Sequence, residues 1–273
     1  MRKRIFISLI SAMTAVLLCL GLSACANTNG KSGDSANQQV VSKEEAVKVI
    51  SAGLEKRWAI NNQYDSETDQ TAIVEGLKKS IQAEIDNDSQ LKSAKFDDSK
   101  LQETVLSYLN CLDDSLKVIK EHGYDTQEYN EAWTEVYNKR STILKTMKDD
   151  YGLTVSKDYE STLDELVANG NDVQENDKAE KAINGLFANV KFEQTDDGYG
   201  NYTYSATVKN TSDLSFKNVS LVLGLYDSDG VRQGETYVSA NTWAAGETVK
   251  FEGYGTINAA QIKVEINYYE VAK

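Results

Sequence analysis

Histidine is the side chain most used to move protons near neutral pH, and this sequence of 273 residues holds one, His122. A single imidazole cannot build a histidine metal cluster. His122 stands beside Gly123, a helix-stop residue, where an imidazolium complements the negative end of a helix; a capping or surface role follows rather than catalysis. Asp227 and Asp229 are spaced like the first ligands of a calcium-binding EF-hand loop, which also requires glycine at its sixth position and glutamate at its twelfth. Counting from Asp227, those positions hold Arg232 and Val238. The calcium reading fails, and Asp227-Ser228-Asp229-Gly230 reads as a hairpin turn. The 42 acidic residues could include a carboxylate pair for glycoside hydrolysis, but that chemistry needs a cleft, and acids on amphipathic helices are ordinarily the wet face. The sequence has no nucleophile elbow, phosphate-cradling glycine loop or paired-cysteine spacing. It offers no catalytic, cofactor-binding or metal-ligating residue.

The three cysteines carry the remaining chemistry. Arg2, Lys3 and Arg4 precede an apolar run from Ile5 to Leu20, the pattern of a secretion signal and too short for a stable membrane span. Next come an aliphatic residue, two small ones and a thiol: Leu22-Ser23-Ala24-Cys25. This resembles the lipobox of bacterial lipoproteins. The resemblance implies that residues 1–24 are removed, that Cys25 takes the diacylglycerol, and that the mature protein is extracytoplasmic and lipid-anchored to the cell membrane. Two or three acyl chains on one cysteine exceed the single chain that anchors only marginally. Cys19 would leave with the signal, so Cys111 is the one thiol left for the folded part and no intramolecular disulfide can form. Cys111 lies among apolar residues at helical spacing and reads as a small core hydrophobe.

Charge and composition set the next limits. The net charge of −13 becomes −16 once the three basic residues leave with the signal, which disfavours nucleic acid as a partner. Proline is absent, so turns rely on Gly, Asn and Asp. The stretch from Ala26 to Val41 is rich in Asn, Gly and Ser and reads as a flexible tether reaching roughly 20 to 24 Å root-mean-square.

From Ser42 to Asn169 the apolar residues recur at three- and four-residue steps. Ser42 with Glu45 forms a capping box for a first helix through Val47, Ile50, Leu54 and Trp58. A second helix runs from Asp69 to Asn87, a third from Asp98 to Gly123 along Leu101, Val105, Tyr108 and Leu112, a fourth from Thr126 along Val136, Arg140 and Leu144 to the stop at Tyr151-Gly152, and a fifth from Lys157 to Ala168 before Asn169-Gly170. The aromatic stripe Tyr129, Trp133, Tyr137 reads as core. Amphipathic helices joined by short turns make an antiparallel bundle. The polar run after Asn169 marks a boundary, followed by a short helix over Lys178–Ala188.

From Val190 the apolar period changes to two, giving strands near 190–195, 201–209, 216–227, 231–240, 247–254 and 261–271, the spacing of a small β-sandwich. The run Val208-Lys209-Asn210-Thr211-Ser212, then Lys217-Asn218-Val219, Leu223-Gly224-Leu225-Tyr226-Asp227 with Gly230, and later Ala245-Gly246-Glu247 and Phe251, resembles the FxLYD domain. Leu223 stands where that family has Phe. The resemblance implies an immunoglobulin-like sandwich in a secreted or lipid-anchored protein of the Gram-positive cell surface, and it brings no catalytic residues.

The expected organisation is therefore α plus β: signal peptide 1–24, lipidated Cys25 and tether 25–41, helical bundle 42–169, linker and short helix 170–189, and an FxLYD-like sandwich 190–273. The functional expectation is a non-catalytic interaction module of the cell envelope. The membrane would be reached through the anchor at Cys25, and an envelope protein or a glycan would be bound by surface tyrosines among Tyr199, Tyr202, Tyr204, Tyr237, Tyr254, Tyr268 and Tyr269. The alternative is a soluble-ligand receptor or a cell-wall hydrolase.

Overall fold

The computed structural model describes residues 40–272, so the signal segment, Cys25 and nearly all of the tether lie outside the described residues. The fold is mixed α plus β, with five helices and two three-stranded antiparallel sheets.

The helices are α1 (Lys43–Asn61), α2 (Gln70–Asp88), α3 (Ser99–Glu121), α4 (Gln127–Tyr151) and α5 (Glu160–Phe187). Four of them start where side-chain oxygens can satisfy the first free amides. Ser42 Oγ accepts from the Glu45 amide at 3.2 Å while Glu45 Oε2 accepts from the Ser42 amide at 3.0 Å. Asp69 accepts from the Ala72 amide, Asp98 from Lys100 and Leu101, and Thr126 from Tyr129. Gly152 ends α4 at φ 74°, a left-handed conformation that favours glycine. The apolar stripes meet in two clusters. One holds Ile50, Leu54 and Trp58 of α1, Leu101 to Leu112 of α3, Leu144 and Met147 of α4, and Leu163 and Leu166 of α5. The other gathers Ile81, Val118, Ile119 and Tyr129. Tyr129 is core and stacks on half-buried Trp133, their centroids 5.7 Å apart, but Tyr137 is exposed.

Two short strands without a sequence signal, β1 (Val40–Val41) and β2 (Lys95–Phe96), pair in parallel. They draw the end of the expected tether into the fold.

The expected break at Asn169-Gly170 does not occur: α5 is one helix of 28 residues, and no linker separates residues 170–177 from the short helix foreseen at 178. Gly170 is buried, and a Cβ there would lie 2.5 Å from the Ser141 carbonyl oxygen of α4. The glycine serves close helix approach, and Asn169 Nδ2 donates across the same contact to Asn138 Oδ1 at 3.1 Å. An Asn-Gly pair has the same local appearance whether it stops a helix or lets another helix in.

The strands are β3 (Glu193–Asp196), β4 (Tyr202–Lys209), β5 (Phe216–Tyr226), β6 (Arg232–Trp243), β7 (Thr248–Gly255) and β8 (Gln261–Val271). One sheet has the order β3-β4-β7, the other β6-β5-β8, with all neighbours antiparallel. Alternate residues turn inward: Tyr204, Ala206 and Val208 from β4, Leu221, Leu223 and Leu225 from β5, Val238 and Ala240 from β6, and Phe251 from β7. The second half of α5 enters this core with Ala179, Ile183 and Phe187. Phe187, Trp243 and Phe251 form a three-ring cluster with centroids 5.3 to 5.5 Å apart.

Two glycines of α5 give a paired test. Gly→Ala at an open helical site stabilises by about 0.5–1 kcal/mol, and a Cβ at Gly185 would meet no atom within 4 Å. Gly185→Ala is expected to raise the denaturation midpoint, whereas Gly170→Ala lowers it; equal shifts from the two would contradict the close α4–α5 approach.

Candidate functional site

The helical part encloses a polar network to which four helices contribute one side chain each. Arg57 of α1 donates through Nη1 to Glu84 Oε2 of α2 at 2.9 Å. Tyr108 of α3 donates its hydroxyl to Glu84 Oε1. Arg140 of α4 lies with Nη2 3.5 Å from the same carboxylate oxygen and 3.3 Å from the Tyr108 oxygen, its guanidinium carbon 5.8 Å from the centre of the Tyr108 ring. All four side chains are buried. Burial alone would raise the pKa of Glu84, but the charges of Arg140 and Arg57 and the Tyr108 hydrogen bond outweigh it and hold the carboxyl below its usual range. Burial pushes the Tyr108 phenol well above its ordinary value, so it stays a donor.

One turn further along α2, Asp88 is buried as well. Its Oδ1 accepts from Asn87 Nδ2 at 2.9 Å, and its Oδ2 has no partner. Burial pushes its pKa up to about 8; the Asn87 hydrogen bond opposes this, the Glu84 charge adds to it, and Arg140 and Lys56 oppose it. At neutral pH Asp88 is protonated. It faces Gly53 of α1, where a Cβ would lie 2.4 Å from Oδ1.

A carboxyl titrating near neutrality has the acidity of a general acid or base, but proton transfer also needs access. Two surface grooves run near the helices, one along Ile60, Tyr64, Lys79 and Asp86 and the other along Asp177, Glu180 and Lys181; neither is lined by Arg57, Glu84, Asp88, Tyr108 or Arg140. The network thus acts on the helices around it. The sequence reading placed Tyr108 and Arg140 on apolar stripes but passed over Arg57 and Glu84. Their signal was present: Arg57 follows Leu54 by three residues and Glu84 follows Ile81 by three, so each charge sits on a core-facing position.

The residues singled out from sequence fall as follows. Cys111 is buried and free, its thiol donating to the Val136 carbonyl at 3.3 Å and pushed up to about 11 by burial. His122 is the C-cap residue of α3, its amide bonded to the Val118 carbonyl at 3.1 Å. No group of three or more His, Cys, Asp or Glu that could hold a metal ion occurs among the described residues. Asp227 organises the β5–β6 turn: Oδ1 accepts the amides of Asp229 at 3.0 Å and Val231 at 2.9 Å, Oδ2 accepts from Gln233 Nε2 at 2.6 Å, and Gly230 takes φ 79°. Leu223 and Leu225 are buried, and Tyr226 lies under Lys263, whose Nζ is 4.4 Å from the ring centre. Asn210 is fully buried and ties the turn between β4 and β5 to the end of β6, donating to the carbonyls of Leu214 and Trp243 and accepting from Ser212. Of the seven tyrosines, Tyr204 is not a surface residue. It is fully buried and donates its hydroxyl to the Ile257 carbonyl at 2.5 Å. Tyr199, Tyr237, Tyr254 and Tyr268 are exposed.

No protein-family model matches the chain, and no curated protein matches it in sequence. Among solved structures, a match is the Pseudomonas fluorescens alkylpurine DNA glycosylase AlkC bound to DNA containing an abasic site analog, 10% identical, covering 79% of this chain and 71% of that one, with a TM-score of 0.18. The expectation of an envelope-interaction module that binds an envelope protein or glycan and no nucleic acid is withdrawn: no comparison supports it, and the match with a solved structure, itself too weak to argue from, is a DNA-bound enzyme. Excluding nucleic acid from net charge was also too strong physically, because a net charge sums over the whole surface whereas nucleic-acid binding depends on where Lys and Arg cluster. At a TM-score of 0.18 the match carries no argument for DNA binding or glycosylase chemistry.

Two substitutions test the network. Glu84→Gln leaves two buried guanidinium groups without their anion and is expected to cost about 3–5 kcal/mol of stability, read by chemical denaturation. For Asp88, the folded state keeps a proton that the unfolded chain loses at its ordinary pKa, so stability falls as pH rises from about 4 to about 8 and is flat above. Asp88→Asn removes that slope; parallel stability–pH curves for the two proteins would show that Asp88 ionises normally.

Proposed function

We propose that this chain is a lipid-anchored extracytoplasmic protein of a bacterial cell membrane, acylated at Cys25, whose C-terminal part is an FxLYD-like, immunoglobulin-like domain. The observation that carries the reading is the run from Arg2 to Cys25: a basic start, an apolar stretch from Ile5 to Leu20, and Leu22-Ser23-Ala24 directly before the cysteine. Between Cys25 and Val40, where the first described element begins, the sequence has fourteen residues rich in Asn, Gly and Ser, a composition suited to a tether. Its role is that of a membrane-tethered carrier: the lipid fixes the N-terminus and the helical part bears the β part.

The immunoglobulin-like reading is supported by the motif residues' work in the fold. Leu223 and Leu225 face the shared core of the two sheets, Asp227 and Gly230 form the turn after β5, and Asn210 ties the turn after β4 to Trp243. Each is a requirement of two packed antiparallel sheets with tight connections.

Metabolic labelling with a clickable fatty acid in the bacterial host is the direct test. The expected outcome is a labelled protein in the membrane fraction whose N-terminal residue by mass spectrometry is acylated Cys25; Cys25→Ala loses the label and leaves the membrane. Label retained by the alanine variant, or a mature N-terminus elsewhere, overturns the proposal.

A further inference from the structure

Helix α5 belongs to two cores. Its first half packs Leu163, Leu166 and Gly170 against the helical part, and its second half packs Ala179, Ile183 and Phe187 between the sheets. Between Gly170 and Ala179 no residue of the helix is buried. Val173 and Gln174 are half-covered, but Glu175, Asn176, Asp177 and Lys178 are all exposed. Four consecutive exposed positions exceed the 3.6 residues of one helical turn, so at this level no face of α5 rests on the protein.

Nothing in the local sequence compensates. Asn171, Asp172, Asn176 and Asp177 are poor helix formers because their short polar side chains compete for the backbone. Short helical stretches in water depend on packing for most of their stability, and that packing is missing here. An ion pair near the gap, Lys178 Nζ to Asp213 Oδ2 at 2.5 Å, joins two exposed side chains, a kind of pair that adds little. On either side the helix is held, by Gly170 against the Ser141 carbonyl and by Phe187 in the ring cluster with Trp243 and Phe251.

From this we infer that the turn Glu175–Lys178 is a hinge: it opens locally as a helix, and the helical part and the β part then move as two bodies while each keeps its own core. The hinge is independent of the lipid anchor.

Hydrogen exchange on the full chain reads the opening, and pulsed EPR between spin labels at Lys120→Cys in α3 and Lys209→Cys in β4 reads the motion. The amides of 175–181 are expected to exchange at least about tenfold faster than those of 163–170 and 183–187, since local opening costs less than global unfolding. Asn176→Gly should speed that exchange and broaden the distance distribution, and Asn176→Ala with Asp177→Ala should slow the one and narrow the other. Central amides as protected as the flanks overturn the hinge. So does fast exchange with a distance distribution that none of these variants changes, which would mean fraying without motion.

Discussion

Glu84 carries a negative charge on a fully buried side chain, and the arrangement of the helices around it follows from that constraint. An isolated buried carboxylate takes up a proton rather than remain charged. Here Arg57 reaches it from α1, Tyr108 from α3 and Arg140 from α4, so it stays ionised. Along α4 the network falls between the two apolar clusters, with Leu144 and Met147 to one side of Arg140 and Tyr129 to the other, and on α3 Tyr108 belongs to the first cluster. Apolar side chains alone tolerate sliding and rotation of one helix on another. A carboxylate that must meet three donors on three helices does not, because a shift by one residue turns a helical side chain through about 100° and strands a charge. Such networks add little net stability over a well-packed apolar core, but they fix register, and Asp88 opposite Gly53 tightens the same α1–α2 contact.

The second constraint is the continuity of α5. Two cores with different periodicities, helical on one side and alternating on the other, are joined by one helix that supplies hydrophobic residues to both. The sheets need this contribution: Phe187 completes the ring cluster with Trp243 and Phe251, and losing a buried phenylalanine typically costs about 3–5 kcal/mol. The β part therefore extends at least from Ala179, earlier than the change of pattern at Val190 suggests, and the boundary between the two parts lies inside a helix.

Local chemistry was legible in the sequence and tertiary chemistry was not. Ser42, Asp69, Asp98 and Thr126 were readable as helix starts because a cap needs only an oxygen and a free amide two or three residues away. Gly152 and the Asp227–Gly230 turn were readable for the same reason. Gly170 misled because its function depends on Ser141, 29 residues earlier in the chain. Tyr204 passed for a surface residue because alternation in a strand does not say which face is inward until the sheets are paired. All four members of the buried network stand at stripe spacing, two of them passed over, but neither sequence spacing nor composition indicates that Arg57, Glu84, Tyr108 and Arg140 converge.

The same distinction bears on what a motif can transfer. Leu223 and Leu225 are inward, Asp227 has both carboxylate oxygens occupied by the turn, and Asn210 spends its amide on Leu214, Trp243 and Ser212. These residues have no free group with which to meet a ligand. A resemblance built on them speaks for a way of packing two sheets and is silent about binding. Residues able to distinguish this chain from others with the same packing face outward. Among them Tyr237, Tyr254 and Tyr268 each donate a hydroxyl to a glutamate two positions away on the same strand, at 2.8, 2.6 and 2.7 Å, so their rings are held in place on three different strands while remaining exposed. Packing places no such demand on exposed side chains, and for this reason whatever is particular to this protein is to be sought there rather than in the motif.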